Sequence, residues 1–277
     1  MKRVPVARVW EGMEWAAIAD DRAAPRLRLT ARGGSSEIKG HGHVDLLSFK
    51  CMVNGELIIT DQVSGGTGST FGGRGHEQYD RSPASKSTLF VDGLGCRTDA
   101  ACDSTTVVGG GDILGIRIDG SHAYMPRWQD IFIGRLLLLV ESTYWVVIDR
   151  VSSTEKSGRR WIESRFHTYA DWSRGRDWVC LRSGSERMTM CFASLGDAVM
   201  QESIGMPTLP QKQTSVFRWM SADRYLDNVM VASLSPGAGK RRLGVRRGKA
   251  GAVAIDVAGP KGYRRTIRVG EELSLKS

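Results

Sequence analysis

Alternation is what most constrains this chain. In His41-Gly-His43-Val-Asp45-Leu-Leu-Ser-Phe49, two imidazoles and a carboxylate occupy every second position. Alternate side chains of an extended backbone share a face, so His41, His43 and Asp45 are expected to project together from one side of a strand entry. Titratable groups gathered on one face are costly unless they bind or react with something. The next stretch, Leu46 to Ile59, reads as a β-hairpin turned at Asn54-Gly55, a pair that accepts the positive φ of a tight two-residue turn. The return strand Glu56-Leu-Ile-Ile-Thr60 brings Asp61 back to the starting end, where it can neighbour His43.

Helical periodicity is almost absent. Short β-rich runs bounded by Gly, Asn, Asp and Ser recur at 26–30, 88–91, 113–118, 131–140, 144–151, 161–169 and 229–234. Many short strands with frequent turn signals predict an all-β protein, a large antiparallel β-sandwich. The 33 glycines against 8 prolines suit tight turns, and 41% hydrophobic content with 8 tryptophans is ample for a core. Tyr144-Trp-Val-Val-Ile148 is apolar on both faces, which predicts a central strand. From about Lys240 the character changes. Lys240-Arg-Arg, Arg246-Arg-Gly-Lys249 and Lys261-Gly-Tyr-Arg-Arg265 alternate with Val253-Ala-Ile255 and Thr266-Ile-Arg-Val269. The expected division is a sandwich over residues 1–239 and a small basic β-meander over 240–277, packed on the sandwich or continuing it.

The net charge of +9 and isoelectric point near 9.5 favour a polyanionic partner: acidic polysaccharide, nucleic acid or an anionic surface. Nucleic acid would be gripped through the C-terminal Arg/Lys meander, with strong salt dependence. A solvated basic sheet edge is the simpler account of those residues, and nucleic acid is not the expected partner. The five cysteines (51, 96, 102, 180 and 191) are odd in number and form no C-x-x-C, which predicts buried free thiols. The start, Met-Lys-Arg-Val-Pro-Val-Ala-Arg, has no apolar segment after its basic residues and does not read as a secretory signal. Leu136 to Val140 is too short to span a bilayer, so no membrane is expected as a partner.

Other motifs exclude by what they lack. The glycine-dense stretch from Gly65 to Gly75 does not end in Gly-Lys-Ser/Thr, and Gly237-Ala-Gly-Lys240 is followed by Arg241, so neither is a phosphate-cradling loop. His76-Glu77 lacks the second His of a zincin, and no G-x-S-x-G elbow occurs. What remains is a set of polar residues beyond the hairpin. Arg74, His76, Tyr79, Arg81 and Lys86 follow Asp61, then His122, Tyr124 and Arg127, and finally His167 within Glu163-Ser-Arg-Phe-His-Thr-Tyr169. A lone His in a strand is usually a satisfied polar residue. A cluster of His41, His43 and Asp61 beside a Gly-rich loop with Tyr79 and Arg81 points to function or metal binding.

Here the residues resemble a known family. His41-Gly-His-Val-Asp45-Leu-Leu-Ser-Phe, Asn54-Gly-Glu-Leu-Ile-Ile-Thr-Asp61, Tyr79-Asp-Arg-Ser and Thr88-Leu-Phe-Val-Asp-Gly93 look like the C-terminal β-sandwich of heparinase II/III-type polysaccharide lyases. Tyr144-Trp-Val-Val-Ile-Asp-Arg150 and Arg165-Phe-His167 also fit it, and the resemblance covers most of residues 5 to 235. It implies a supersandwich-like fold and β-elimination on a uronate-containing acidic polysaccharide. In that family a helical toroid precedes the sandwich and the cleft lies between them. The uronate carboxylate is neutralised, a base removes the C5 proton, and an acid, often Tyr, protonates the leaving glycosidic oxygen. The resemblance makes His41 the cleft residue at the uronate or its C5 proton. Tyr79 and Arg81 become hydroxyl and carboxylate contacts, and Arg74, His76 and His167 further substrate contacts. It also implies a periplasmic or cell-envelope setting.

In metal-containing members the positions of His43 and Asp61 help to hold a structural zinc. The family commonly has His-Asn-Thr where this chain reads Lys86-Ser87-Thr88, so the completing His is Lys86. No cofactor is expected on this ground, because structural zinc wants four ligands and only His43 and Asp61 remain. An ammonium at Lys86 could instead pair with Asp61, with His43 as a hydrogen-bond partner, in a structural polar cluster. Zinc stays possible if His76 comes round as a substitute ligand. The chain starts at the sandwich, so the resemblance implies half of an active site: weak or inactive alone, and completed by a separate toroid. The alternative is a non-catalytic carbohydrate-binding or assembly module that kept the fold and lost the chemistry.

Overall fold

A strand that carries apolar side chains on both faces has to be covered twice, and that requirement organises this fold. The computed structural model describes residues 3–36, 43–62, 79–128, 130–205 and 213–276. β1 (Val6–Trp10), β2 (Trp15–Ala19), β3 (Leu27–Arg32), β4 (Phe49–Val53) and β5 (Glu56–Ile59) form a five-stranded antiparallel meander. After β6 (Leu89–Val91) come β7 (Ser104–Gly110), β8 (Ile113–Asp119), β9 (Ile131–Val140) and β10 (Tyr144–Ser153), consecutive antiparallel neighbours from β7 to β10. β11 (Ile162–Thr168), β12 (Asp171–Arg174), β13 (Trp178–Ser183), β14 (Glu186–Ser194), β15 (Ala198–Ile204), β16 (Ser215–Ser221) and β17 (Asp227–Pro236) complete two more sheets. One has eight strands in the order β12-β13-β14-β17-β10-β9-β8-β7, and the other has four in the order β15-β16-β11-β6. β18 (Arg242–Arg247), β19 (Val253–Ala258), β20 (Arg264–Val269) and β21 (Leu275–Lys276) make a last four-stranded sheet. No helix among the described residues is long and apolar enough to cross a membrane. The protein is an all-β antiparallel sandwich, as its strand pattern predicts.

Parity along β9 and β10 shows how the layers stack. Ile133, Leu137 and Leu139 of β9, with Trp145, Val147 and Val151 of β10, face the main core. There they meet Leu29, Phe49 and Ile59 of the five-stranded sheet and Phe166 and Phe217 of the β15-β16-β11-β6 sheet. The alternate residues Leu136, Leu138, Val140, Tyr144, Val146 and Ile148 face a second core closed by Val253, Ile255, Val257, Ile267 and Val269. The C-terminal strands therefore cover the outer face of the eight-stranded sheet. The sheets opposite its inner face join at one bridge, where Thr60 N donates to His167 O at 2.9 Å. At the hairpin, Asn54 (φ 48°) and Gly55 (φ 87°) take the expected left-handed turn between β4 and β5. All five cysteines are free, and four of them are buried.

Two charged residues sit in the middle of the main core. Arg135 of β9 and Asp149 of β10 are register partners, with side chains 0% and 1% exposed. Arg135 Nε and Nη2 donate to Asp149 Oδ1 and Oδ2 at 2.6 and 2.8 Å, and Ser164 Oγ donates to Oδ2 at 2.5 Å. Arg135 Nη1 reaches across the core to the carbonyls of Leu47 (2.6 Å) and Ser87 (2.9 Å). The forked geometry satisfies both charges and ties the two layers together. Removing one partner leaves a buried charge uncompensated, at a cost of about 3–5 kcal/mol. Asp149→Ala is therefore expected to lower unfolding free energy by about that amount in urea titration. Asp171→Ala, which breaks the exposed 3.5 Å pair with Arg182, should change it by no more than about 0.5 kcal/mol. Equal effects of the two variants would refute the clamp.

Candidate functional site

The layer-joining bridge fixes the polar residues that follow β5. Ser87, fully buried, is the node. Its N–H donates to Asp61 Oδ1 at 2.9 Å and its hydroxyl donates to Thr60 O. The same hydroxyl accepts His167 N–H at 2.9 Å. Its carbonyl accepts from Phe49 N at 3.2 Å and from Arg135 Nη1. Lys86, Asp61 and His167 are thereby held by backbone on three elements rather than by loop packing. Lys86 follows a short 3₁₀ turn over Pro83–Ser85, and its N–H closes that turn on Pro83 O at 3.0 Å.

His43 meets Lys86 from the opposite side. Val44 N donates to Arg81 O at 2.8 Å, which aligns the 43–44 backbone along the 80–81 backbone. His43 Nδ1 lies 2.8 Å from Asp80 O and 3.1 Å from Lys86 Nζ. One nitrogen cannot serve both contacts in one protonation state: it donates to Asp80 when it carries the proton and accepts from Lys86 when it does not. Asp61 completes the group from the other edge, with Lys50 Nζ 3.4 Å from its Oδ2. Burial pushes the Lys86 amine below its usual range, opposed by the nearby Asp61 and Asp45 carboxylates. Burial likewise raises Asp45, opposed by Arg32 and Lys86. The cluster thus carries charges of both signs whose balance depends on one another.

Three expectations from the alternating motif change. Residues 43–48 are not strand: they turn at Leu47 (φ 61°), Ser48 N bonds Asp45 O at 3.0 Å, and β4 starts at Phe49. His43 and Asp45 therefore part, His43 to Lys86 and Asp45 to Arg32 Nε at 3.5 Å. Asp61 takes its ion pair from Lys50, and Lys86 donates to His43 Nδ1, so the direct Lys86–Asp61 pair expected from sequence is replaced by a longer-range attraction. Cross-strand reasoning could have found Lys50, since the β4 strand that carries it pairs with the β5 strand that delivers Asp61.

The remaining candidates are placed as follows. His41, Arg74 and His76 lie outside the described residues, as does the stretch from Gly65 to Gly75. Tyr79 is buried and its hydroxyl donates to Ala84 O at 3.4 Å. Arg81 is half-buried, with its carbonyl on Val44. His167, expected as a substrate contact, is fully buried within the interior. Thr214 Oγ1 donates to Gln62 Oε1 at 2.9 Å and lies 2.9 Å from His167 Nδ1. Gln62 and Thr214 carried no sequence signal that would have singled them out.

A zinc ion is the one metal that the resemblance implies. Zinc sites draw on Cys, His, Asp and Glu, normally four ligands in a closed structural site. Among the described residues no three such side chains are grouped to hold a metal. His43 Nδ1 is engaged by Lys86 and Asp80, and Asp61 Oδ1 is engaged by Ser87 N–H. The described donor set does not fit zinc.

Comparison with known proteins agrees with this architecture. The chain belongs to the heparinase II/III-like, C-terminal family, whose model matches residues 12–242. Among solved structures, the heparan sulfate lyase HepC from Pedobacter heparinus superposes with a TM-score of 0.74 at 13% identity, covering 96% of this chain and 43% of that one. The heparinase III BT4657 gene product gives 0.73 at 14%, covering 96% and 42%. A further heparinase III gives 0.74 at 10%, covering 95% and 42%. At such identities the likeness is one of fold, and the chain spans about two-fifths of the length of these proteins. A sequence search of curated proteins returned no match.

Burial, with Arg165 and Lys86 nearby, drops the His167 imidazole to about 3 from its usual 6.5. The unfolded chain then binds a proton that the folded one does not, so this residue's contribution to stability is intact above about pH 6.5 and lost as pH falls towards 3. His167→Gln should flatten the stability–pH curve between pH 7 and 5 relative to the parent, measured by urea unfolding. An unchanged slope would refute the assignment.

Proposed function

We propose that this domain forms one wall of a cleft in which a uronate-containing acidic polysaccharide undergoes β-elimination. The observation that carries this reading is the fixed polar base beside the 41–43 segment: His43, two residues from His41, is anchored by Asp80 and Lys86 to the backbone that also holds Asp61. In this reading His41 faces the C5 proton of the uronate. Arg81 and Arg74 meet the carboxylate, whose neutralisation makes that proton acidic, and His76 contacts a neighbouring hydroxyl. Tyr79 holds the segment that carries Arg81. The C5–H and C4–O bonds break, a C4–C5 double bond forms, the base takes the proton, and an acid protonates the leaving oxygen. The acid and the opposite wall come from a helical toroid, in keeping with the longer proteins that share this fold. Turnover by the 277-residue chain alone should be negligible, read as absorbance of the unsaturated uronate product on heparan, hyaluronan, alginate and polyglucuronate. Supplying a toroid domain should restore it in a manner that His41→Ala abolishes. Robust turnover by the chain alone would refute the need for a second wall. No turnover with any toroid, despite tight glycan binding, would favour a non-catalytic module.

Lys86 stands, in the same reading, where metal-containing relatives place a cation. Its amine lies 3.1 Å from His43 Nδ1 and is attracted by the Asp61 and Asp45 carboxylates, and in this reading the site works without metal. Protein purified without chelator should hold no stoichiometric zinc by elemental analysis, and chelator should leave its melting temperature unchanged. Lys86→His should introduce zinc-dependent melting. Stoichiometric zinc in the parent, lost in His43→Ala, would show that Lys86 does not replace the metal.

A further inference from the structure

The solvent face of the five-stranded sheet is an unassigned surface with a definite pattern. Antiparallel register places the residues of this face in rows across the strands, exposed or half-buried except for Ala19 and Arg32, which are buried. The first row is Trp10, Trp15 and Arg32, and the second is Arg8, Ala17, Thr30 and Lys50. The third is Val6, Ala19, Arg28 and Met52. No carboxylate occurs in any row. The middle row has a cation at each end and small side chains between, so it forms a shallow trough about 14 Å long. The paired tryptophans line one side, 40% and 49% exposed, and Arg28 stands on the other. Two exposed indoles directly opposite each other on adjacent strands are unusual without a partner, because nothing in the fold requires that apolar area in water.

Two of the cations here, Arg8 and Arg28, are not used up within the fold, whereas Arg32 is buried and pairs with Asp45. Among the described residues no ion pair engages Arg8 or Arg28, and Lys50, though 3.4 Å from Asp61, remains largely exposed. Arg8 leans over the Trp10 ring at 5.5 Å, and Arg32 over Trp15 at 5.8 Å. The C-terminal sheet, where the basic runs are densest, is different. Arg246 pairs with Asp256 at 2.9 Å, Arg247 with Asp227 at 2.7 Å and Arg265 with Asp112 at 2.6 Å, while Arg241 stacks on Tyr144 at 3.8 Å. The net positive charge is therefore less available there than the sequence suggests. The trough also runs into the site already described. A small cavity of about 60 Å³ is lined by Trp15, Thr30, Arg32, Asp45, Lys50 and Asp61.

We propose that this face is a subsite for a linear acidic saccharide, which lies along the Arg8–Lys50 row and leads to the Asp61 end of the site. Pyranose rings present apolar C–H faces that pack on the indoles. Their carboxylate or sulfate groups pair with Arg8, Arg28 and Lys50. The proposal rests on the acidic-polysaccharide reading above and adds where the chain is held. The test is calorimetric titration of the full chain at low salt with three octasaccharides: polyglucuronate, heparin and neutral maltooctaose. The first two share anionic chemistry and separate carboxylate from sulfate as its source. Trp15→Ala and Arg28→Glu should each weaken binding of the preferred anionic octasaccharide about tenfold. Arg246→Glu, on the C-terminal sheet, should leave it unchanged, and maltooctaose should bind far more weakly. Both face residues are exposed, so unchanged unfolding midpoints will show that the fold is intact. Parental affinity in both face variants, or an equal loss in Arg246→Glu, overturns the subsite even if elimination activity is found. Loss of elimination in His41→Ala with binding intact bears on the chemistry alone.

Discussion

The buried Arg135–Asp149 pair is the contact on which the candidate site depends most. It lies between register partners at the centre of the eight-stranded sheet, yet its free guanidinium nitrogen reaches the opposite layer at Leu47 and Ser87. Such a pair adds little net stability over an apolar pair of equal volume. What it adds here is position. An arginine fork has a rigid plane, so the carbonyls of Leu47 and Ser87 are held at fixed places relative to β9 and β10. Ser87 then passes that position on to Asp61 and His167, while Lys86, next to it in the chain, carries it to His43. A sliding interface between the two layers would disperse all of these groups.

A related device holds the outer layer. Arg150, also on β10 but with opposite parity, forks onto Asp227 at 2.9 and 3.1 Å and donates to the carbonyls of Gly270 and Gly251. Consecutive residues Asp149 and Arg150 thus point to opposite faces and bind different layers. A further buried charge, Glu163 on β11, is held by Arg218 at 2.7 and 2.8 Å and by Arg165. Burial would raise its carboxyl, but these guanidinium partners outweigh that and bring it below the usual range. Arg135 and Arg150 pair within the eight-stranded sheet and use their spare donors to reach carbonyls of another layer, whereas Glu163 is paired within its own sheet.

The polar cluster brings three kinds of titratable group together. Amine, imidazole and carboxylates share a partly buried space, and each protonation state depends on its neighbours. Lys86 can donate to His43 only when Nδ1 is unprotonated, whereas Asp80 O requires that nitrogen to carry its proton. The cluster can therefore exchange a hydrogen bond between two partners without moving a backbone atom. A metal ion would have held a single arrangement.

The sequence by itself determined the strand-rich architecture and the hairpin between β4 and β5. Double-sided apolar runs at 131–140 and 144–148 needed cover on both faces, and Asn54-Gly55 suits only a tight left-handed turn. It also carried the family, through its local motifs. The tertiary structure alone decided which polar residues meet. Gln62 and Thr214 enclosed His167, and Arg247 and Arg265 found Asp227 and Asp112, across sequence separations that no local pattern records, whereas Lys50 meets Asp61 across the β4–β5 hairpin. Arg135 and Asp149 are charges within largely apolar strands, and only the fold supplied their partners. Alternation assigns a face to each residue only where the backbone is extended. At 43–48 the chain turns instead, because Leu47 is drawn into the core at positive φ and Arg32 takes Leu47 N–H and Asp45 from the other strand. Local patterns encode local geometry, whereas the identity of a neighbour across a sandwich depends on the register of every strand between.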